Sequence, residues 1–130
     1  MKESLEFYNQ FDKRLISDYV YGNKRLVNAI INLGRFIPEN SNRILDVGCG
    51  LGWSSNEFAK AFPNSIVVGL DLSPVLIKTA SKLFGSKDNL IFKTYDLTKG
   101  LPNERIDAIV MIDVYEHFPL NRRSDFHSSI

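Results

Sequence analysis

The 130-residue sequence is poor in cysteine, in histidine, in net charge and in long apolar runs, and each shortage excludes a class of protein. A single cysteine, Cys49, cannot form an intrachain disulfide, which removes the small disulfide-stapled folds. The two histidines, His117 and His127, stand ten residues apart, and Cys49 lies in a glycine-rich stretch, so no cluster of metal ligands is visible. Sixteen Lys and Arg against fifteen Asp and Glu leave a formal charge of +1, too little to gather a nucleic acid or an anionic membrane surface. The longest wholly aliphatic run, Ala108 to Ile112, is far short of the roughly 20 residues that span a membrane. The opening residues MKESLEFYNQFDKR lack the apolar stretch of a signal peptide. These absences point to a soluble cytoplasmic protein with neither nucleic acid nor membrane as partner.

What is present is an ordinary globular balance, 44% hydrophobic and 24% charged, in about one domain's length of chain. Two hydrophobic rhythms divide it. From Leu5 to about Ile37 the apolar residues fall three or four apart (Leu5, Tyr8, Phe11, Leu15, Tyr19, then Leu26, Val27, Ile30, Ile31 and Leu33), which predicts two amphipathic helices with a break near Tyr21 to Asn23. Pro38 and the polar residues after it close this region, read as a helical cap over residues 1–40. Residues 41–130 then alternate short apolar runs with helical stripes. Strands are expected at Arg43–Val47, Ser65–Asp71, Leu90–Asp96 and Ile106–Val114, and helices at Ser54–Phe62 and from Pro74. Ser73 is placed to cap the latter helix, Val75, Leu76, Thr79, Ala80 and Leu83 form its expected buried stripe, and Gly85 is expected to end it in the left-handed conformation. A helical tail is expected from Leu120. The alternation predicts an α/β fold, a doubly wound, Rossmann-like parallel sheet with helices on both faces.

Ligands of such sheets bind beyond the carboxyl ends of the strands. The first strand ends in Asp46-Val47-Gly48-Cys49-Gly50-Leu51-Gly52-Trp53, a loop that lets a ligand approach where β-carbons would collide. Trp53 stands where a dinucleotide fingerprint wants its third glycine, which argues against an NAD-linked oxidoreductase. Asp71 ends the second strand, twenty-one residues after Gly50, and fits either a ribose diol or an ordinary turn. Asp96-Leu97 ends the third, an acceptor beside a backbone donor that suits an adenine edge or another turn. Asp113-Val114-Tyr115-Glu116-His117-Phe118 ends the fourth, and its acidic groups suit a cation. Together these positions fit a nucleoside with a positively charged tail free of phosphate.

At these residues the sequence resembles the class I methyltransferases that use S-adenosylmethionine. ILDVGCGLGWSS is similar to their first motif, VVGLDLSP to the second, FKTYDL to the third and RIDAIVMIDVYEHF to the fourth, over about Ile44 to Phe118. The resemblance implies that Asp46, Gly48 and Gly50 surround the methionine end of the cofactor, with Asp46 near its ammonium, and that Cys49 and Trp53 also belong to the cofactor-binding residues. It implies that Asp71 holds the ribose hydroxyls, that Leu72 packs on the adenine, and that Asp96 and the Leu97 amide bind the adenine edge. Asp113 then lies near the sulfonium and His117 on the substrate side, a candidate base for a hydroxyl or ammonium acceptor. Tyr8, Tyr19 and Tyr21 are candidates for a lid, or core residues of an amphipathic helix. The implied activity is methyl transfer to an O, N or C nucleophile of a small molecule, with a non-catalytic cofactor-binding module as the alternative. The family's sheet has seven strands in the order 3-2-1-4-5-7-6, of which four are expected here. The chain therefore reads as a fragment, or as one that self-associates through the apolar fourth strand.

Overall fold

The structure, a computed structural model, describes residues 24–112. Tyr8, Tyr19, Tyr21, Asp113, His117, the tail from Leu120 and the side chain of Leu26 lie outside the described residues. The description opens on helix α1 (Lys24–Gly34), and the break read at Tyr21 to Asn23 lies outside the described residues. It sets Ile30 in the core with Leu33 packed against it, while Ile31 is left exposed. Strand β1 (Arg43–Val47), helix α2 (Trp53–Ala61), strand β2 (Ile66–Asp71), helix α3 (Pro74–Phe84) and strand β3 (Leu90–Thr94) follow in the expected alternation. A 3-10 turn at Leu97–Lys99 and strand β4 (Ala108–Met111) complete the described chain.

The four strands form one parallel sheet in the order β3-β2-β1-β4. Parallel neighbours require a crossover, which α2 supplies from β1 to β2 and α3 from β2 to β3. The chain then returns to the far side of β1, so the strand order reverses between β1 and β4, the place where such sheets open a crevice. Side-chain alternation puts Ile44, Val67, Leu90 and Val110 on one face, packed with Ile30, Ile37, Phe58 and Phe84 of the helical side. Leu45, Val47, Val68 and Leu70 face the other way, onto Leu97 and the half-buried Tyr95, Leu101, Ile106, Ile109 and Met111. Each such side chain, removed fully from water, contributes roughly 1.5–3 kcal/mol. The register sets Asp46 beside Gly69 of β2, with Phe92 next in line on β3 and Val110 on β4.

Three local expectations are corrected. Helix α3 is turned so that Leu76, Ile77, Ala80 and Phe84 are buried, whereas Val75 and Leu83 are 45% and 48% exposed. Both stripes have helical spacing, and the one carrying the large Phe84 ring faces inward because it removes more apolar surface from water. Gly85 ends the helix with φ −71°, not in the left-handed region, and its amide donates to the Ser81 carbonyl at 2.9 Å. A β-carbon there would overlap that carbonyl oxygen, so closeness and not handedness calls for glycine. Strands β3 and β4 are shorter than their apolar runs. β3 stops at Thr94 because the Asp96 carboxylate turns to cap the 3-10 turn, its Oδ1 accepting from the Thr98 amide at 3.0 Å and hydroxyl at 2.6 Å. β4 starts only after Asp107, whose Oδ2 accepts from the amides of Asn42 at 2.8 Å and Arg43 at 3.0 Å.

Candidate functional site

The carboxyl ends of β1, β2 and β3 are joined by hydrogen bonds into one platform. The amides of Gly48 and Cys49 both donate to the Leu70 carbonyl, at 2.7 and 2.9 Å, and the Tyr95 amide donates to the Asp71 carbonyl at 2.9 Å. Between these ends runs the glycine loop. Gly48, Gly50 and Gly52 take φ values of 70°, 56° and 85°, a region that side-chain-bearing residues avoid. Gly52 is also the N-cap of α2 and supplies no side-chain cap.

Two buried carboxylates flank this loop. Asp46 is 1% exposed, and its Oδ2 accepts from the hydroxyls of Ser54 at 2.6 Å and Ser55 at 2.7 Å. Burial pushes its pKa up to about 6; the two hydroxyls pull it down, and the negative charge of Asp71 raises it further. Asp71 is 7% exposed and holds two loops at once, Oδ2 accepting from the Gly50 amide at 3.0 Å and Oδ1 from the Ser73 amide at 2.9 Å. Burial raises its pKa as well, opposed by the amides of Ser73, Gly50 and Leu72. Among the described residues neither carboxylate has a cationic partner. Cys49 is buried beside them, and burial together with the charges of Asp46 and Asp71 pushes its thiol far up, which makes it unsuited to nucleophilic chemistry.

Of the remaining expected site residues, Trp53, Leu72, Asp96 and Leu97 are among the described ones. Trp53 is half-buried as the first residue of α2, and Leu72 is half-buried between β2 and α3. Asp96 spends one carboxylate oxygen on its turn, and Leu97 is buried in the second core. Asp113, His117, Tyr8, Tyr19 and Tyr21 lie outside the described residues. The sequence reading missed Ser54, Ser55, Gly69 and Phe92. A β-carbon on Gly69 would lie 2.7 Å from the Phe92 ring and 2.8 Å from Ser55 Oγ, so the bare position lets Ser55 reach Asp46. Phe92 also lies under the loop, 2.6 Å from where a β-carbon on Gly52 would stand. A glycine in the middle of a strand is the signal for such a close approach. Among the described residues no group of three His, Cys, Asp or Glu side chains is arranged to hold a metal ion.

The platform fits a small ligand that carries positive charge and no phosphate, because two buried acids would repel a pyrophosphate at the position where a dinucleotide presents it. Comparison with known proteins agrees. The sequence profile of the family described as "Methyltransferase domain" matches residues 44–130. Malonyl-[acyl-carrier protein] O-methyltransferase 2 of Ilyobacter polytropus is 39% identical over 79 residues, which are 59% of this chain and 30% of that protein. The chain thus spans well under half the length of this relative. Among solved structures, a TehB-like SAM-dependent methyltransferase from Corynebacterium glutamicum superposes with a TM-score of 0.72 at 24% identity, over 91% of this chain and 61% of that one. PKMT2 from Rickettsia typhi, in complex with AdoHcy, has a TM-score of 0.57 at 26% identity, over 65% of this chain and 17% of that one. With its four described strands in one parallel sheet, its glycine loop and the profile match over most of its length, the chain belongs to the class I S-adenosylmethionine-dependent methyltransferases.

Proposed function

We propose that this chain binds S-adenosylmethionine at the carboxyl ends of β1, β2 and β3 and directs its methyl group to a small acceptor. The observation that carries the reading is the pair of buried carboxylates, Asp46 and Asp71, set on a glycine loop without a cationic partner among the described residues. In this reading Asp46 faces the ammonium of the methionine end, and Gly48, Gly50 and the buried Cys49 form a floor free of bulky side chains. Asp71 meets the ribose hydroxyls at the rim of β2, Leu72 and Trp53 supply apolar contact, and Asp96 with the Leu97 amide reads the adenine. Asp113 stands toward the sulfonium, His117 toward the acceptor, and Tyr8 and Tyr21 belong to the N-terminal cap of residues 1–40. When bound, the cofactor supplies an electrophilic methyl on a sulfonium, so the protein's work is alignment and exclusion of water and not covalent catalysis. The AdoHcy bound in the Rickettsia relative supports the cofactor assignment.

The acceptor sets the demand for a base. The name of the Ilyobacter relative implies methylation of an oxygen on a carrier-bound malonyl group. If that oxygen belongs to a carboxylate it has no proton to lose, and alignment alone suffices; a hydroxyl or ammonium acceptor requires a group such as His117 to remove one. A carboxylate acceptor is the reading favoured here, in a cytoplasmic setting. Two measurements test the proposal. In a thermal-shift titration S-adenosylhomocysteine is expected to raise the melting temperature while NAD leaves it unchanged; the reverse ranking overturns the cofactor assignment. With a carboxylate acceptor, His117→Ala is expected to keep turnover within about threefold, whereas a loss of the 100-fold order typical of general-base removal assigns a protonated acceptor instead.

A further inference from the structure

The Ser54 and Ser55 hydroxyls converge on one oxygen of Asp46, at 2.6 and 2.7 Å, and neither bonds the other oxygen. Bonds of this length to a carboxylate are charge-assisted and favour the ionised form. The arrangement is built, not incidental. Ser55 is fully buried, it lies against Gly69 where a β-carbon would collide with its Oγ, and both serines sit in the first turn of α2, fixed to the loop by the Asn56 amide bonded to the Gly52 carbonyl at 2.9 Å. We propose that Ser54 and Ser55 are positioning residues that keep Asp46 ionised and fix the direction of its free oxygen, so that the ammonium of the cofactor's methionine end meets a formed negative charge at neutral pH. This rests on the cofactor reading above and assigns a role to two residues outside the family motif's acid and glycines.

The surroundings make such a device necessary. Asp46 is sealed from solvent, which alone drives a carboxyl toward its neutral form, and the facing Asp71 from β2 pushes the same way. The Cys49 thiol of the loop also faces it but stays protonated throughout the neutral range. Among the described residues no cation faces Asp46, so the two hydroxyls are the groups that hold its charge before ligand arrives. With its pKa near 6, Asp46 is mostly ionised at pH 7. Removing both donors moves that value upward by about one pH unit or more, and each unit costs about tenfold in the ionised fraction on the acid side.

The test is calorimetric titration of S-adenosylhomocysteine, which carries the same ammonium, into the full chain between pH 5.5 and 8. For the wild type, affinity is expected to fall as pH drops through about 6. In S54A/S55A the fall is expected to begin about one pH unit higher, with affinity recovering toward wild type at pH 8, while Asp46→Asn binds weakly and without this pH dependence. S54A alone, at a half-buried position, should show a smaller shift in the same direction and serves if the double variant does not fold. A uniform loss at every pH, or no loss, reduces the serines to structural residues and overturns the proposal, as does an acid limb that persists in Asp46→Asn. Wild-type protein that fails to bind S-adenosylhomocysteine at any pH overturns the cofactor reading itself, a result distinct from an unshifted profile.

Discussion

Asp46 works against the fold that holds it. Its pKa rises from the ordinary 3.8 to about 6 in the folded chain, so between those values the folded form carries more protons than the unfolded form. Stability therefore falls as pH rises through that window, by roughly 3 kcal/mol in all by pH 7. Asp46→Asn, whose amide oxygen can still accept from both serines, is expected to be more stable than wild type at pH 7 by up to about that amount and little different at pH 3.5. Denaturant unfolding at the two pH values checks this, and the same variant should bind S-adenosylhomocysteine at least roughly tenfold more weakly, the usual exchange of stability for function at a buried charge. At this scale the sequence was legible where backbone conformation leaves one solution. Gly48, Gly50 and Gly52 announce a sharply turning loop, and Asp46 and Asp71 stand at the second-last residue of β1 and the last of β2. Ser54 and Ser55 were not legible, since serines at a helix start are common caps and only the three-dimensional path of the loop brings them back onto Asp46.

Among the elements, α3 shows both what local chemistry determines and what it leaves open. Its start was readable to the residue: Ser73 Oγ accepts from the Leu76 amide at 3.2 Å and Pro74 occupies the first helical position. Ser73→Ala is expected to destabilise the chain by about 1 kcal/mol, lowering the melting temperature by several degrees, with the helix otherwise intact. Its inward face was not readable, because Val75, Thr79 and Leu83 make as good a stripe as Ile77, Ala80 and Phe84, and the choice is made by β3 and the core and not by the helix. Strand ends show the same division. The apolar runs of β3 and β4 continue past their ladders, and it is the carboxylates of Asp96 and Asp107, satisfying backbone amides, that stop or start the pairing.

Across the described molecule the two ends of the sheet have separate duties. The carboxyl ends carry the glycine loop and the acids, while the opposite edge is a clasp: Asp107 takes the amides of Asn42 and Arg43, and Arg43 pairs with Glu104 at 2.9 Å. Those amides hold the Asp107 carboxyl below its ordinary pKa, so its contribution is present at neutral pH and lost as pH falls through the lowered value. Asp107→Asn is therefore expected to lower the melting temperature at pH 7, to matter less near pH 2, and to leave S-adenosylhomocysteine affinity within about twofold of wild type. Calorimetric scans and binding titrations on one preparation separate the two duties. The alternation of strands and helices predicted this architecture from the sequence, and the observed order β3-β2-β1-β4 is the first part of the seven-stranded order that the family resemblance implied. Phe92 gives the layout a history as well as a shape. Its ring fills the space that β-carbons on Gly52 and Gly69 would take, and Gly52 is held besides by its φ of 85°. A lineage that shrinks residue 92 opens a void under the loop, and one that enlarges residue 69 first meets the ring. A larger residue 69 also meets Ser55 Oγ, 2.8 Å from where its β-carbon would stand, so a smaller residue 92 alone does not free position 69, and any change there disturbs both the ring and the serine that reaches Asp46.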